Sequence, residues 1–317
     1  MPTRPHATVL VHHPDGVEAY ADLIRAPRGR VTLRVAADHD AVRKHARDCD
    51  VFYVWKPPVD AYARAPRLAW LQAMGAGVDW ALVPELPPGV TVTRAPGIFG
   101  AWMAEYVAAW CLHVTQRIAE YSRAQRERRW IEQTLPDRLR GKTVCVVGLG
   151  DIGRAVARAL RGLGARIVGV SRSGRAVREA ERVYPHRALT RAVAAADFVV
   201  LVLPLTPHTM RLVDARVLAA MKPTAWLVNI ARGAVVDEAA LLAALGERRI
   251  AGAVLDVFAR EPLAPEHPFW TMDNVVVTPH ISGPSTAEEI TPVFNANLAR
   301  WLAGRPLRHV VDRRRGY

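Results

Sequence analysis

Short apolar runs and longer mixed stretches alternate along this chain. In the first hundred residues, Ala7–Val11, Val31–Val35, Val51–Trp55, Leu68–Gln72 and Val90–Thr93 read as strands, and Gly16–Ile24 and Asp40–Arg47 as helices. Strands that alternate with helices imply a parallel sheet covered by helices. After Pro96-Gly97 the pattern predicts one long helix from Ala101 to about Arg129, with Val107, Trp110, Cys111, Val114 and Ile118 at helical spacing. That stripe either packs against its own domain or contributes to a dimer interface. A second series follows: strands Phe198–Leu203, Trp226–Ile230, Gly252–Val257 and Val275–Thr278, and a helix over Glu238–Leu245. A last helix from about residue 286 returns to the first domain, so that one domain is inserted into the other.

The second series opens on the most informative stretch of the chain. Val144, Val146 and Val147 form an apolar strand; Gly148, Gly150 and Gly153 then spell GxGxxG, and a helix continues through Leu160. The three glycines permit a tight turn, close approach to a pyrophosphate, and close helix–sheet packing. The helix start offers free N–H groups to the phosphates. With a strand before it and a helix after it, the motif reads as a dinucleotide site. The next strand, Ile167–Val170, ends in Ser171, Arg172, Ser173, Gly174 and Arg175. An acid that would bond a ribose 2′-hydroxyl is missing there. Two guanidiniums and two hydroxyls suit a 2′-phosphate instead. The expected cofactor is therefore NADPH, with NADH possible.

Composition narrows the class. The chain has 317 residues, half of them hydrophobic, enough for two domains with real cores. Cys49, Cys111 and Cys145 are scattered and odd in number, which argues against a disulfide framework or structural zinc and fits a cytoplasmic protein. Neither a signal peptide nor a membrane-spanning run is evident. The net charge of +13 raises nucleic acid as a partner. The arginines are spread out and not interleaved with aromatics, so a solvated basic surface that attracts small anions is the preferred reading, without nucleic-acid binding.

Three polar residues follow the carboxyl ends of apolar runs: Arg232 after LVNIA, Glu261 after AVLDVFAR and His280 after VVVTP. Open α/β sheets bind ligands beyond those ends. An arginine can grip a carboxylate and stabilise a developing alkoxide. A protonated imidazole can deliver a proton, and a carboxylate beside an imidazole favours its protonated form. Such a set beside a nicotinamide suits reduction of a 2-keto acid, with no metal required. Trp55, Trp130, Phe269 and Trp270 are candidate pocket walls, with core packing as the alternative for each.

Seven segments in order carry a resemblance: LQAMGAGVD (71–79), MAEYV (103–107), VVGLGDIGRAVA (146–157), ADFVVLVLPLTPHT (196–209), LVNIARGAVVDEAALLAAL (227–245), LDVFAREPLAPEHPFW (255–270) and TPHISG (278–283). Over nearly its whole length the chain resembles the D-isomer-specific 2-hydroxyacid dehydrogenase family, closest to its glyoxylate/hydroxypyruvate reductase branch. The resemblance implies an α/β fold of two Rossmann/flavodoxin-like domains with parallel sheets. The cofactor domain, residues 101–285, would be inserted into a substrate domain of residues 1–100 and 286–317. It implies Arg232 as the substrate-binding arginine, Glu261 as the acid that supports the histidine, and His280 as the general acid/base. The amides of Ala76 and Gly77 would take the substrate carboxylate. Leu149, Gly150, Asp151 and Ile152 would cover the pyrophosphate, Pro204 and Thr209 border the adenosine half, and Ile230 and Asp256 touch the nicotinamide end. Asp256 has a competing role, capping the loop after its strand. A homodimer is also implied. Two alternatives stay open: a family member acting on another acid, such as phosphoglycerate or a branched 2-keto acid, and a dinucleotide-sensing interaction protein.

Overall fold

Residues 6–317 are described by a computed structural model. The chain forms β1 (Ala7–His12), α1 (Val17–Asp22), β2 (Val31–Ala36), α2 (His39–His45), β3 (Val51–Val54), β4 (Trp70–Ala73) and β5 (Thr91–Thr93). It continues through α3 (Phe99–Thr115), α4 (Ile118–Arg126), β6 (Thr143–Val147), α5 (Asp151–Gly162), β7 (Arg166–Ser171), β8 (Arg182–Pro185), α6 (Leu189–Val193) and β9 (Phe198–Leu201). The remainder is α7 (Ala215–Ala220), β10 (Trp226–Asn229), α8 (Glu238–Gly246), β11 (Gly252–Leu255), β12 (Val275–Val277) and α9 (Ala287–Leu302). Two compact units result, Met1–Ile98 with Ser285–Tyr317, and Phe99–Pro284.

The first unit is built on a five-stranded parallel sheet of order β2-β1-β3-β4-β5. β1, β3 and β4 are buried throughout, as expected of central strands covered on both faces. α2 starts on Asp38, whose carboxylate accepts from the Ala41 N–H at 2.7 Å, and has Arg43 and Lys44 in its last turn, charges that suit the two ends of its dipole. α9 opens with a capping box between Thr286 and Glu289. Its Phe294 stacks on Tyr53 of β3 at 4.2 Å and on Trp70 of β4 at 5.2 Å. Asn297 donates to Gln72 at 3.3 Å, and the Tyr53 and Thr291 hydroxyls lie 3.0 Å apart. These contacts join the last helix to the first sheet.

The second unit carries a seven-stranded parallel sheet, β12-β11-β10-β9-β6-β7-β8. This is the doubly wound order, with its reversal between β6 and β9. Its core combines Val147, Val199, Leu201, Leu227, Leu245 and Leu255 with the helices around them.

Several sequence expectations change in detail. The long helix expected over Ala101–Arg129 is two helices, broken at Arg117, which takes a left-handed φ of 54°. Val107 and Cys111 are buried, whereas Ile118, beyond the break, is 45 % exposed. The strand expected to reach Leu203 ends at Leu201. β8, α6 and α7 are additional elements. Among the described residues no helix is long and apolar enough to cross a membrane. Cys49, Cys111 and Cys145 are free and buried, and burial pushes each thiol up to about 12.

Candidate active site

The glycine loop sits where the strand order of the second sheet reverses. Gly148 has φ 106°, and a Cβ there would lie 2.0 Å from the Val202 carbonyl oxygen in the loop after β9. A Cβ on Gly153 would lie 1.9 Å from the Gly148 oxygen, so α5 can close on β6 only with glycine at that position. Gly150 precedes α5 and faces open space, where a Cβ would meet nothing within 4 Å. An open cradle at the start of a twelve-residue helix fits a pyrophosphate. Asp151 and Ile152 form the first turn of α5. The Leu149 side chain lies over Gly169 of β7, where a Cβ would come within 2.4 Å of it. Arg154 donates to the Leu149 carbonyl at 3.3 Å, a cation beside the cradle that sequence reading passed over. Its signal was a basic residue in the first turns of a helix, against the dipole.

Beyond β7 the chain turns sharply. The Gly174 N–H donates to Ser171 Oγ at 3.1 Å, and the Arg175 N–H to Ser173 Oγ at 3.3 Å. The serines thus shape the turn, and Arg172 and Arg175 project from it, both exposed. Among the described residues neither guanidinium is held by a carboxylate. Across the switch point, the Thr209 hydroxyl donates to the Pro204 carbonyl at 2.7 Å and accepts from the Thr206 N–H at 2.8 Å, closing the loop after β9. Ile230, just past β10, is buried.

Arg232, Glu261 and His280 follow β10, β11 and β12, three adjacent parallel strands. Neighbouring strands run about 4.8 Å apart, so their outgoing loops are neighbours too. Gly233 presses on the Phe258–Ala259 backbone, where a Cβ would lie 1.9 Å from the Phe258 carbonyl carbon. Arg232 donates to the Ala231 carbonyl at 2.7 Å, and its own carbonyl accepts from Asn229 at 3.1 Å. The Glu261 carboxylate accepts from the Phe258 N–H at 3.1 Å and meets His280 Nδ1 at 2.8 Å. An ionised carboxylate only accepts, so this bond assigns the hydrogen to Nδ1 and leaves Nε2 as the exchangeable position. Both side chains remain about one-third exposed (33 % and 31 %), open to a ligand from solvent.

Asp256, expected as an alternative to cap the loop after its own strand β11, instead holds the loop after the neighbouring β12. It is fully buried, and its carboxylate accepts from Thr278 Oγ1 at 2.7 Å, the Ile281 N–H at 2.8 Å and the Ser282 N–H at 2.9 Å. Its carbonyl accepts the His280 N–H at 2.9 Å. Tyr106 of α3 adds a further link, its hydroxyl 2.6 Å from Thr278 Oγ1. Because Thr278 gives its hydrogen to Asp256, the tyrosine donates, and burial pushes its phenol well above the usual range. His280 is thereby held with a left-handed φ of 55°, uncommon for a residue with a side chain. Tyr106 and Thr278 were not foreseen as supports of the histidine loop; both lie in the segments MAEYV and TPHISG.

Trp55, Ala76 and Gly77 belong to the first unit, at the carboxyl ends of β3 and β4. The Trp55 ring packs on Gly75, where a Cβ would lie 2.4 Å from it. Among the described residues neither the Ala76 nor the Gly77 N–H is taken by an acceptor. Of the other candidate pocket walls, Phe269 is 2 % exposed and packs in the core, whereas Trp270 and Trp130 are 51 % and 89 % exposed.

Fold and site define a dinucleotide-binding protein of the dehydrogenase class. A sequence model described as "D-isomer specific 2-hydroxyacid dehydrogenase, NAD binding domain" matches residues 108–282. A glyoxylate/hydroxypyruvate reductase A of Photorhabdus laumondii is 34 % identical over 281 residues, 86 % of this chain and 88 % of that protein. A D-isomer specific 2-hydroxyacid dehydrogenase from Xanthobacter autotrophicus Py2, solved with NADPH and MES, superposes with a TM-score of 0.88 at 37 % identity, covering 99 % of this chain and 100 % of that one. An NADPH-dependent glyoxylate/hydroxypyruvate reductase from Sinorhizobium meliloti, solved with NADP and sulfate, gives 0.89 at 33 % identity over 98 % and 100 %. The chain belongs to the D-isomer specific 2-hydroxyacid dehydrogenase family.

Proposed function

We propose that this protein reduces small 2-keto acids of the glyoxylate/hydroxypyruvate type with NADPH, His280 acting as general acid. The observation that carries the reading is the 2.8 Å bond between Glu261 and His280 Nδ1, on the same sheet edge as the glycine cradle. The cradle of Gly148–Gly153 would hold the pyrophosphate, and Arg172 and Arg175 a 2′-phosphate. The relatives solved with NADPH or NADP support that choice. When bound, the dinucleotide supplies the hydride for the carbonyl carbon.

The protein's own groups do the rest. Arg232 pairs with the substrate carboxylate and stabilises negative charge on the carbonyl oxygen. His280 gives that oxygen the proton from Nε2 while Glu261 fixes the ring through Nδ1. A positioned acid of this kind contributes about 10²–10⁴-fold. Asp256, through its three accepted hydrogen bonds, keeps the histidine loop in place. The unit Phe99–Pro284 is the cofactor domain in this reading, and the unit holding Ala76 and Gly77 the substrate domain.

The assembly proposed is a homodimer. Trp102, Ile118, Trp130 and Leu135 are exposed within one stretch of the second unit, and a hollow of about 470 Å³ lined by Tyr121, Arg128, Trp130 and Glu132 adjoins them in sequence. Single large apolar side chains are common on surfaces; several in one segment mark an association face. The three unpaired thiols support a cytoplasmic setting. The functional test is a spectrophotometric screen of 2-keto acids with NADPH and with NADH. Glyoxylate or hydroxypyruvate should oxidise NADPH most efficiently. Binding of NADPH without turnover of any acid would reject the reductase and favour a sensor.

A further inference from the structure

Lys56 takes no part in the chemistry above, yet it stands at the position in the first unit where ligands are expected. The order β2-β1-β3-β4-β5 reverses between β1 and β3. In sheets of this topology, ligands bind outside the carboxyl ends of the strands at that reversal. Lys56 lies two residues beyond β3, and the preceding Trp55 N–H donates to the carbonyl of His12, the last residue of β1, at 2.9 Å.

The lysine is held in an unusual conformation. Its φ is 42°, in the left-handed region that residues with side chains rarely occupy, and the buried Pro57 and Pro58 follow it. Its ammonium lies 5.3 Å from the centroid of the Trp55 ring, a cation–π distance. The same ring packs on Gly75, the start of the loop whose Ala76 and Gly77 N–H groups have no acceptor among the described residues. Lys56 is exposed, and among the described residues no carboxylate holds it. The chain fills nearly all its basic positions with arginine; of its four lysines (Lys44, Lys56, Lys142 and Lys222), Lys142 and Lys222 are tied to Asp137 and Asp197. A loop with two N–H groups that no described residue accepts and a compact ammonium therefore flank one indole ring.

We infer that Lys56 forms a second anion subsite beside the Ala76–Gly77 loop, favouring 2-keto acids that carry a further anionic group. The loop N–H groups take the carboxylate next to the carbonyl. The ammonium, on its flexible stem, takes the distal carboxylate or phosphate. The inference rests on the proposed 2-keto acid reductase activity and specifies which acids the same site prefers.

The test compares wild-type enzyme with Lys56→Met, which keeps most of the stem, and Lys56→Arg, which keeps the charge. At saturating NADPH, kcat/KM is measured for glyoxylate, ketomalonate, oxaloacetate and 3-phosphohydroxypyruvate. Relative to glyoxylate, Lys56→Met should lose about tenfold for a dianionic acid, chiefly through KM, as expected for a charge-assisted bond. Lys56→Arg should restore most of it. A loss for ketomalonate and oxaloacetate assigns a carboxylate; a loss confined to 3-phosphohydroxypyruvate assigns a phosphate. Ratios within twofold of wild type for all three overturn the inference. Calorimetric binding of oxamate and tartronate to the same proteins separates this inference from the reductase reading. If no acid is turned over but tartronate binding still weakens about tenfold in Lys56→Met while oxamate binding changes less, the reductase falls and the anion subsite stands. Equal weakening of both, or none, removes the subsite.

Discussion

Replacing Asp256 by alanine removes the acceptor that holds the histidine loop. Three donors converge on its carboxylate at 2.7, 2.8 and 2.9 Å, and two of them are backbone N–H groups that cannot turn away. The residue is fully buried, so little water is at hand to replace it. Each buried donor left without a partner costs about 1–3 kcal/mol, and relaxation of the loop recovers part of that. A net loss of roughly 3–5 kcal/mol is expected. For a unit of this size each kcal/mol shifts Tm by about 2–4 °C, so the midpoint should drop by roughly 6–20 °C. Asp256→Asn keeps the shape and one acceptor oxygen, and should cost about half as much. Differential scanning calorimetry with and without NADPH is the assay. A fall of less than about 2 °C for Asp256→Ala, with a large loss of NADPH affinity, would refute the structural role and restore direct contact with the nicotinamide as its main task.

The Arg172→Ala/Arg175→Ala double variant should lower the ratio of kcat/KM for NADPH to that for NADH by about 10–100-fold, the worth of one or two charge-assisted phosphate bonds; an unchanged ratio removes them from the cofactor site. Stability should also decline on the acid side. Burial holds His12, His13 and His113 below the ordinary histidine value, so the unfolded chain binds more protons, and the stability present above about pH 6.5 is lost as pH falls below it. His12 Nδ1–H donates to the Ala36 carbonyl at 2.8 Å, and His12→Asn keeps a donor there while removing the titrating ring. Thermal denaturation between about pH 8 and pH 5 should then show a shallower acid-side fall than wild type, and an identical slope would exclude His12 as a contributor.

The central strands were legible because burial on both faces writes them as continuous apolar runs: Val51–Val54 and Val144–Val147 have no exposed position to break the pattern. The elements that escaped notice lack such a signature. β8 is the edge strand Arg182–Pro185, partly exposed throughout, and α6 and α7 have five and six residues, too few to display helical periodicity. The break at Arg117 carries neither glycine nor proline, the residues that usually announce one. Glu261 and His280 were legible because each follows an apolar strand. The support beneath them was not, since Asp256 meets Thr278, Ile281 and Ser282 only because β11 and β12 are neighbours. Lys56 gives a similar lesson: WKPP in the sequence carries no hint of a left-handed lysine at the reversal of a parallel sheet.

The most direct test of the account is a double-mutant cycle on kcat/KM for NADPH-dependent glyoxylate reduction, using His280→Ala, Glu261→Gln and the two combined. If His280 delivers the proton and Glu261 acts through it, the histidine variant should lose about 10²–10⁴-fold and the glutamine variant less. The double variant should then be no slower than His280→Ala alone. Losses that multiply, or near-wild-type turnover without the imidazole, would contradict the proposed pair.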